Sequence, residues 1–270
     1  MSPQHVRLAS LARMKASGQR IVMLTAYDAP GARAADEAGV DIILVGDSLG
    51  NVVLGYDDTI PVTLQDMIHH TAAVSRTKPR ALVVADMPFM TYKLSPEQAL
   101  ANAGRLIQEG GAQAVKIEGG AVMAPTVRRL VEAGIPVMGH LGLTPQSIHQ
   151  LSGYRVQGRS DAERARMVAD AKALDAAGAF AIVIELAPSE AARAVTAAVS
   201  CPTIGIGAGP HCDGQVLVLH DMLGLSFAPP PSFVKKYADV RGVMKQAIEA
   251  YCREVRDGAY PGEAHSFEDK

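Results

Sequence analysis

Hydrophobic positions along the chain gather in short, unbroken runs, separated by Ala-rich stretches of helical period. The runs are IVMLT from Ile21, DIILVG from Asp41, ALVVA from Ala81, AVKI from Ala114, PVMG from Pro136, AFAIVI from Ala179 and PTIGIG from Pro202. A strand buried on one face alternates apolar and polar residues. A β-branched run without that alternation is buried on both faces, as in a parallel sheet covered by helices. Between the runs lie GARAADEAG, LQDMIHHTAAVSRT, SPEQALANAGRLIQEGG, MAPTVRRLVEAG, DAERARMVADAKALDAAG and SEAARAVTAAVS. Ser95 followed by Pro96 reads as an N-cap and first helical residue, and Asp161 opens another helix. Gly39, Gly110, Gly134 and Gly178 close four of them. The phrase (E/D)AG ahead of a strand recurs at 37–39, 132–134 and, as DAAG, at 175–178. This is a βα unit repeated at a period of roughly 25–45 residues.

Seven runs are clear, and an eighth strand is expected in MLGLSFA from Met222, with a helix following from about Ser232 to Arg256. Eight βα units in a chain of this size predict a TIM (β/α)8 barrel. An open doubly wound sheet is the alternative. No Pro/Gly-rich linker divides the chain, and PPPS at 229–232 reads as the loop leaving the last strand, so residues 1–270 are expected to form a single barrel domain. Ahead of the first strand the chain carries Arg7, Arg13, Lys15 and Arg20, several serines and no acid before Asp28. A transit peptide has that composition. So does an amphipathic helix with Val6, Leu8, Leu11, Ala12 and Met14 on one broad face. The immediate start of the first strand favours the helix.

Composition narrows the class. Of 270 residues 48% are hydrophobic, enough for a large core, and with 7 Tyr, 5 Phe and no Trp that core must be aliphatic. Lys and Arg number 26 against 28 Asp and Glu, a net charge of −2, which offers no electrostatic footprint for nucleic acid or an anionic membrane. No apolar run approaches the ~18 residues of a membrane span. Cys201, Cys212 and Cys252 fit neither a disulfide framework nor a zinc site, and a reducing, cytoplasmic location is expected.

The residues that end the strands carry the chemistry. DIILVG runs into Asp47-Ser48, ALVVA into Asp86, AVKI into Glu118, PVMG into His140 and AFAIVI into Glu185. Barrel strands converge at their C-terminal ends, so five consecutive strands deliver these groups to one mouth. One acid after a strand is commonly a helix cap; five titratable residues in register are not explained by capping. Lys116 lies two residues before Glu118, and the pleat points both side chains the same way. A lysine in a buried strand needs a carboxylate partner or a chemical role. The three carboxylates Asp47, Asp86 and Glu118, with one imidazole nearby and no thiol, suit a hard octahedral cation such as Mg²⁺ better than zinc. GIGAGP at 205–210 is not a dinucleotide fingerprint, because Pro210 stands where the third glycine is needed. His69 and His70 are adjacent on a helix, point about 100° apart and cannot jointly chelate.

The segments TAYD (25–28), LVGDSLG (44–50), TIPVT (59–63), ADMPFM (85–90), VKIEGG (115–120), GHLGLTPQS (139–147), GYRVQGR (153–159), IGIGAG (204–209), DGQVLVLHDMLG (213–224) and YPGEAHSF (260–267) closely resemble the ketopantoate hydroxymethyltransferase family. The resemblance covers nearly the whole chain after residue 20; Met87 and the prolines before Ser232 depart from it at no matched functional position. It implies a phosphoenolpyruvate/pyruvate-type barrel and hydroxymethyl transfer from 5,10-methylenetetrahydrofolate to 3-methyl-2-oxobutanoate in pantothenate synthesis. It further implies Asp47, Asp86 and Glu118 as Mg²⁺ ligands, and Asp47, Ser48, Asp86 and Lys116 as oxoacid-binding residues. Glu185 is implied as the general base, His140 as a further active-site member, and a homodecamer as the assembly. Three other readings stay open: a carbon–carbon lyase of the isocitrate lyase type, a Schiff-base aldolase using Lys116, and a non-catalytic metal-binding barrel. The segment Val137-Met138-Gly139-His140 lacks the cysteine of the lyases.

Overall fold

A computed structural model describes residues 5–150, 153 and 155–267 of the chain. Tyr154 of GYRVQGR and the first four residues of the basic N-terminal segment lie outside that set. The elements run α1 (Leu8–Ser17), β1 (Ile21–Thr25), α2 (Ala29–Glu37), β2 (Ile42–Val45), a short α3 (Leu49–Val52) and α4 (Leu64–Ser75). They continue with β3 (Leu82–Asp86), α5 (Pro96–Gln108), β4 (Ala114–Glu118), α6 (Ala124–Glu132), β5 (Val137–Gly142) and α7 (Asp161–Ala176). The last are β6 (Ala181–Glu185), α8 (Ser189–Ala198), β7 (Thr203–Ile206), β8 (Gly214–Leu217), a one-turn α9 (Leu219–Met222) and α10 (Val240–Arg256). The eight strands close a parallel barrel in sequence order, with β8 pairing back to β1.

Two compact units are separable, one through Leu219 and one from His220 on, and all eight strands belong to the first. In that unit strand parity sorts the core into two layers. Ile21, Met23, Ile42, Leu44, Leu82, Val84, Ala114, Met138, Ala181, Val183, Ile204 and Val216 fill the barrel interior. Residues of the other parity, such as Ile43, Val83, Val115, Ile117 and Ile182, pack outward with the helices. The basic N-terminal segment is helical, and Val6, Leu11 and Met14 join the interior cluster. Within the second unit α10 has no buried residue, and Tyr260 stacks against Tyr251 and His265.

Three expectations are corrected. The eighth strand is Gly214–Leu217 rather than MLGLSFA, and seven residues without a helix join it to β7. Its alternating burial, with Gln215 exposed, leaves no apolar run to detect. The last helix begins at Val240, not near Ser232. Helix α7 is capped by Ser160, whose hydroxyl accepts from the Glu163 amide while the Glu163 carboxylate accepts from the Ser160 amide; Asp161 is its first helical residue. The Ser95 cap stands, accepting from the Gln98 amide at 3.1 Å. Among the described residues no helix is long and apolar enough to cross a membrane. The three cysteines are free thiols, Cys201 and Cys212 buried.

Candidate active site

The interior parity that buries Ala114 also turns Lys116 and Glu118 inward, and the same holds for Asp86, His140 and Glu185 at the ends of β3, β5 and β6. Register sets the pairs: Asp86 is level with Lys116, and Glu118 with His140. Above the aliphatic layers the barrel therefore changes within one residue step from hydrocarbon to charge. Asp47, Asp86, Lys116, Glu118 and His140 are all at least 96% buried.

Lys116 Nζ sits 2.5 Å from Asp86 Oδ1 and 3.3 Å from His140 Nδ1. His140 Nδ1 is also 3.4 Å from Glu118 Oε1, and His140 Nε2 is 3.1 Å from Glu185 Oε2. The contact between Lys116 Nζ and His140 Nδ1 is within hydrogen-bonding geometry, whereas those of the imidazole with Glu118 and Glu185 are ion-pair contacts, His140 Nε2 and Glu118 Oε1 making no hydrogen bond. The Asp47 amide donates to Asp86 Oδ2 at 3.0 Å, which seats Asp47 over the same group. Ser48 follows at the start of α3; its hydroxyl bonds the Tyr27 hydroxyl at 2.8 Å. A Cβ on Gly46 would crowd Ser48 Oγ at 2.9 Å and approach Asp86 Oδ2 at 3.4 Å, so a larger residue here would press on both.

Glu185 is the least buried of the acids, its side chain 18% exposed. The backbone around it is tightly specified. Leu186 adopts φ +46°, the left-handed region that a leucine enters only under constraint. It is held there by donating its amide to Ile206 O at 2.9 Å and accepting from the Gln157 amide at 2.9 Å. Gly142, at φ +88°, lies so close that any Cβ would overlap the Glu185 carbonyl oxygen.

Two residues that carry no charge tie the acids together. Gln146 is 2% exposed; its side-chain amide donates to Asp47 Oδ2 and to Met87 O, both at 2.9 Å, and its backbone amide donates to Glu118 Oε2 at 3.1 Å. Tyr92, fully buried, donates its hydroxyl to Gln146 Oε1 at 2.7 Å and accepts the Glu118 amide at 3.1 Å. A search for charged strand ends passes over both, although Gln146 stands in the GHLGLTPQS segment. His70 donates to the Tyr27 carbonyl at 2.7 Å and, like His69, does not join the acids. Gly209 in the GIGAGP turn lies against Ser189 in a tight reversal.

The electrostatics are those of a buried site short of positive charge. Burial, then Asp86 and Glu118, hold the Asp47 carboxyl well above the usual range despite Lys116 and Gln146. Burial likewise raises Asp86, only partly offset by Lys116. Glu118 goes the other way: its burial is outweighed by His140, Lys116 and the Gln146 amide, which hold it ionised. Burial would depress Lys116, but Asp86, Glu118 and Asp47 together raise it, so it stays an ammonium. For His140 burial and the Lys116 charge pull downward, while Glu118 and Glu185 hold it up at about 9, an imidazolium at neutral pH.

Asp47 and Asp86 resist ionisation chiefly because they are buried, and a divalent cation would supply the counter-charge that favours their ionised forms. The donor set fits: Glu118 Oε1 is a buried oxygen without a hydrogen bond, Asp47 and Asp86 add buried carboxylates close enough to raise one another, and hard cations take carboxylate oxygens. Among the described residues no three His, Cys, Asp or Glu side chains form a ready-made metal cluster. The ammonium of Lys116 on Asp86 and the Gln146 amide on Asp47 occupy two of the positions such a cluster would need.

Residues 5–263 match the family described as ketopantoate hydroxymethyltransferase. A protein of Moorella thermoacetica named 3-methyl-2-oxobutanoate hydroxymethyltransferase is 60% identical over 262 residues, 97% of each chain. One of the same name from Geotalea daltonii is 55% identical over 96% of this chain and 97% of its own. Among solved structures, phosphonopyruvate hydrolase in complex with oxalate and Mg²⁺ superposes with TM-score 0.61 at 14% identity, covering 96% of this chain and 92% of that one. The 2,3-dimethylmalate lyase, a PEP mutase/isocitrate lyase superfamily member, gives 0.59 at 20% identity over 96% and 91%. At such identities the likeness is one of fold, the closed eight-stranded parallel barrel.

Proposed function

The chain belongs to the ketopantoate hydroxymethyltransferase family, and on that footing we propose that it transfers a hydroxymethyl group to 3-methyl-2-oxobutanoate, giving 2-dehydropantoate in pantothenate biosynthesis. It is an enzyme, a transferase; the one-carbon donor we assign is 5,10-methylenetetrahydrofolate, whose methylene carbon forms the new bond to C3 while water supplies the hydroxyl oxygen and tetrahydrofolate leaves. The observation that carries the mechanism is the contrast between Glu185, part-exposed on β6, and the buried acids of β2 to β4.

Asp47, Asp86 and Glu118 would hold Mg²⁺, whose charge beside the substrate's keto oxygen would stabilise negative charge developing there. Lys116, kept protonated by the surrounding carboxylates, adds a second positive group and binds the oxoacid with Asp47, Ser48 and Asp86. Glu185 takes the proton from C3 of the oxoacid. Its carboxylate is within 3.1 Å of His140 Nε2, and the imidazolium orients it and can return a proton to the new hydroxyl. A permanently protonated Lys116 is a poor Schiff-base nucleophile, which weighs against the aldolase reading. The absence of an active-site cysteine weighs against the lyase. We place the enzyme in the cytoplasm as a homo-oligomer, a decamer by family resemblance. Free thiols favour the first assignment.

Exchange of the oxoacid C3–H in D₂O, followed by NMR with and without Mg²⁺ and without any folate, tests the mechanism. Metal-dependent exchange is expected. Exchange that survives chelation would point to the Schiff base, and no exchange at all to a non-catalytic barrel.

A further inference from the structure

Glu118 faces two spaces. One is the cluster of acids; the other is a cavity of about 720 Å³ running from Glu118 and Gly142 outward along α7. Pockets for drug-sized ligands span about 300–1,000 Å³, so this is far more room than a five-carbon oxoacid needs. One wall is fixed: Asp170 accepts from the Ala121 amide at 2.7 Å, and its carboxylate fills the space where any Cβ on Gly120 would lie. The α7 wall is built by Glu163, Arg166, Met167 and Asp170, at the i, i+3, i+4, i+7 spacing of one helix face. Glu163 is committed to the cap at Ser160, and Asp170 to Ala121. Arg166 makes no ion pair or hydrogen bond among the described residues, although its neighbour Arg164 is paired with Asp161. At the inner end Lys93 is half-buried against the rings of Phe89 and Tyr92 and feels the charges of Glu118 and Asp47.

We propose that this cavity seats the one-carbon donor, a reduced pterin with an anionic glutamate tail, and that Arg166 binds the tail carboxylate. The assignment rests on the hydroxymethyl-transfer reading. The donor must bring its carbon to a substrate beside Glu118 and Glu185, and the cavity opens there. Its ring systems need flat apolar surface that adapts, which the thioethers of Met123 and Met167 offer. Its tail needs a cation, and the uncommitted guanidinium of Arg166, suited to bidentate carboxylate binding, lines the α7 wall.

The test is a cycle of two donors and two proteins. 5,10-Methylenetetrahydrofolate is compared with the same compound lacking its glutamate, on wild type and on Arg166→Ala, reading KM for the donor. A charge-assisted contact of this kind is worth about tenfold or more. Removing the tail is expected to raise KM about tenfold in wild type. Arg166→Ala should raise it equally with the full donor and show no further loss with the truncated one, and Arg166→Lys should recover part of the loss. Arg166 is exposed on α7, so the fold should tolerate these changes. Equal tail penalties in wild type and Arg166→Ala, or no penalty in wild type, would overturn the proposal. The wild-type C3–H exchange, which uses no donor, keeps the two readings apart: its failure removes the mechanism, whereas normal exchange with an unchanged donor KM in Arg166→Ala removes only the cavity assignment.

Discussion

Glu185 and Gln146 mark two ways in which a single side chain serves this site. Glu185 is proposed to act on substrate directly, so Glu185→Gln, which keeps shape but removes the basic oxygen, should slow C3–H exchange by about 10²–10⁴-fold. Oxoacid and Mg²⁺ binding, followed by calorimetry, should persist; exchange within a few-fold of wild type would reduce Glu185 to a structural residue. Gln146 works through Asp47 and Glu118. Gln146→Leu preserves most of the volume yet strips Asp47 of its amide donor, and removal of such supporting bonds costs roughly 10–100-fold in metal affinity or activity. A Mg²⁺ titration of the variant against wild type measures it, and equal affinities would show that the amide is dispensable. The sequence reveals the first residue and hides the second for one reason. A charge ending an apolar run is conspicuous, whereas a glutamine or tyrosine becomes conspicuous only when its burial and partners are known.

At the scale of elements, seven strands are readable from their unbroken apolar runs, because parallel strands under helices favour no polar alternation, although β1 leaves Val22 half-exposed. β8 was not: Gly214–Leu217 includes a glycine and an exposed glutamine, and its identity as a strand comes from pairing with β1 and β7. In two of the units an acid near the helix end acts as a stitch, though only Asp175 belongs to the recurring phrase. Asp36 on α2 accepts the Arg80 and Ala81 amides before β3, and Asp175 on α7 accepts the Ser200 and Cys201 amides before β7. Partial burial would raise Asp175, but the bonds from Ser200 and Cys201 outweigh it and hold the carboxyl below its ordinary 3.8. A depressed folded value stabilises the fold above the unfolded one and ceases to do so as pH falls through the folded one. Asp175→Ala should therefore cost about 1 kcal/mol at pH 7, with the difference from wild type shrinking below about pH 4, as read by urea melts across pH. A helix matters as much as a stitch. Leu11 of α1 is wholly buried in the barrel's interior cluster, and Leu11→Ala should cost about 2–5 kcal/mol in the same melts.

For the molecule as a whole, the barrel's integrity depends on contacts between its beginning and its end. Lys15, on α1, donates to the carbonyls of Thr196, Val199 and Cys201 at 2.9–3.3 Å and pairs with Asp213 at 3.0 Å. Thr196 O lies in the last turn of α8, where helical oxygens lack donors, and Val199 and Cys201 follow directly after it. β1, the first strand, finds one of its two edges only in β8. A chain emerging from the ribosome thus exposes both a half-paired first strand and an unanchored first helix until some two hundred further residues have been made. Such long loop closures slow folding and prolong exposure of apolar surface. A fragment ending at Ile206, which has seven strands but neither Asp213 nor β8, should be degraded rapidly by protease and melt without a cooperative transition. Protection equal to that of the full chain would mean the barrel can assemble before its seam is available. Otherwise the growing protein depends on holdase chaperones through most of its synthesis, and a premature stop even a few codons before β8 yields a product destined for proteolysis rather than a weakened enzyme.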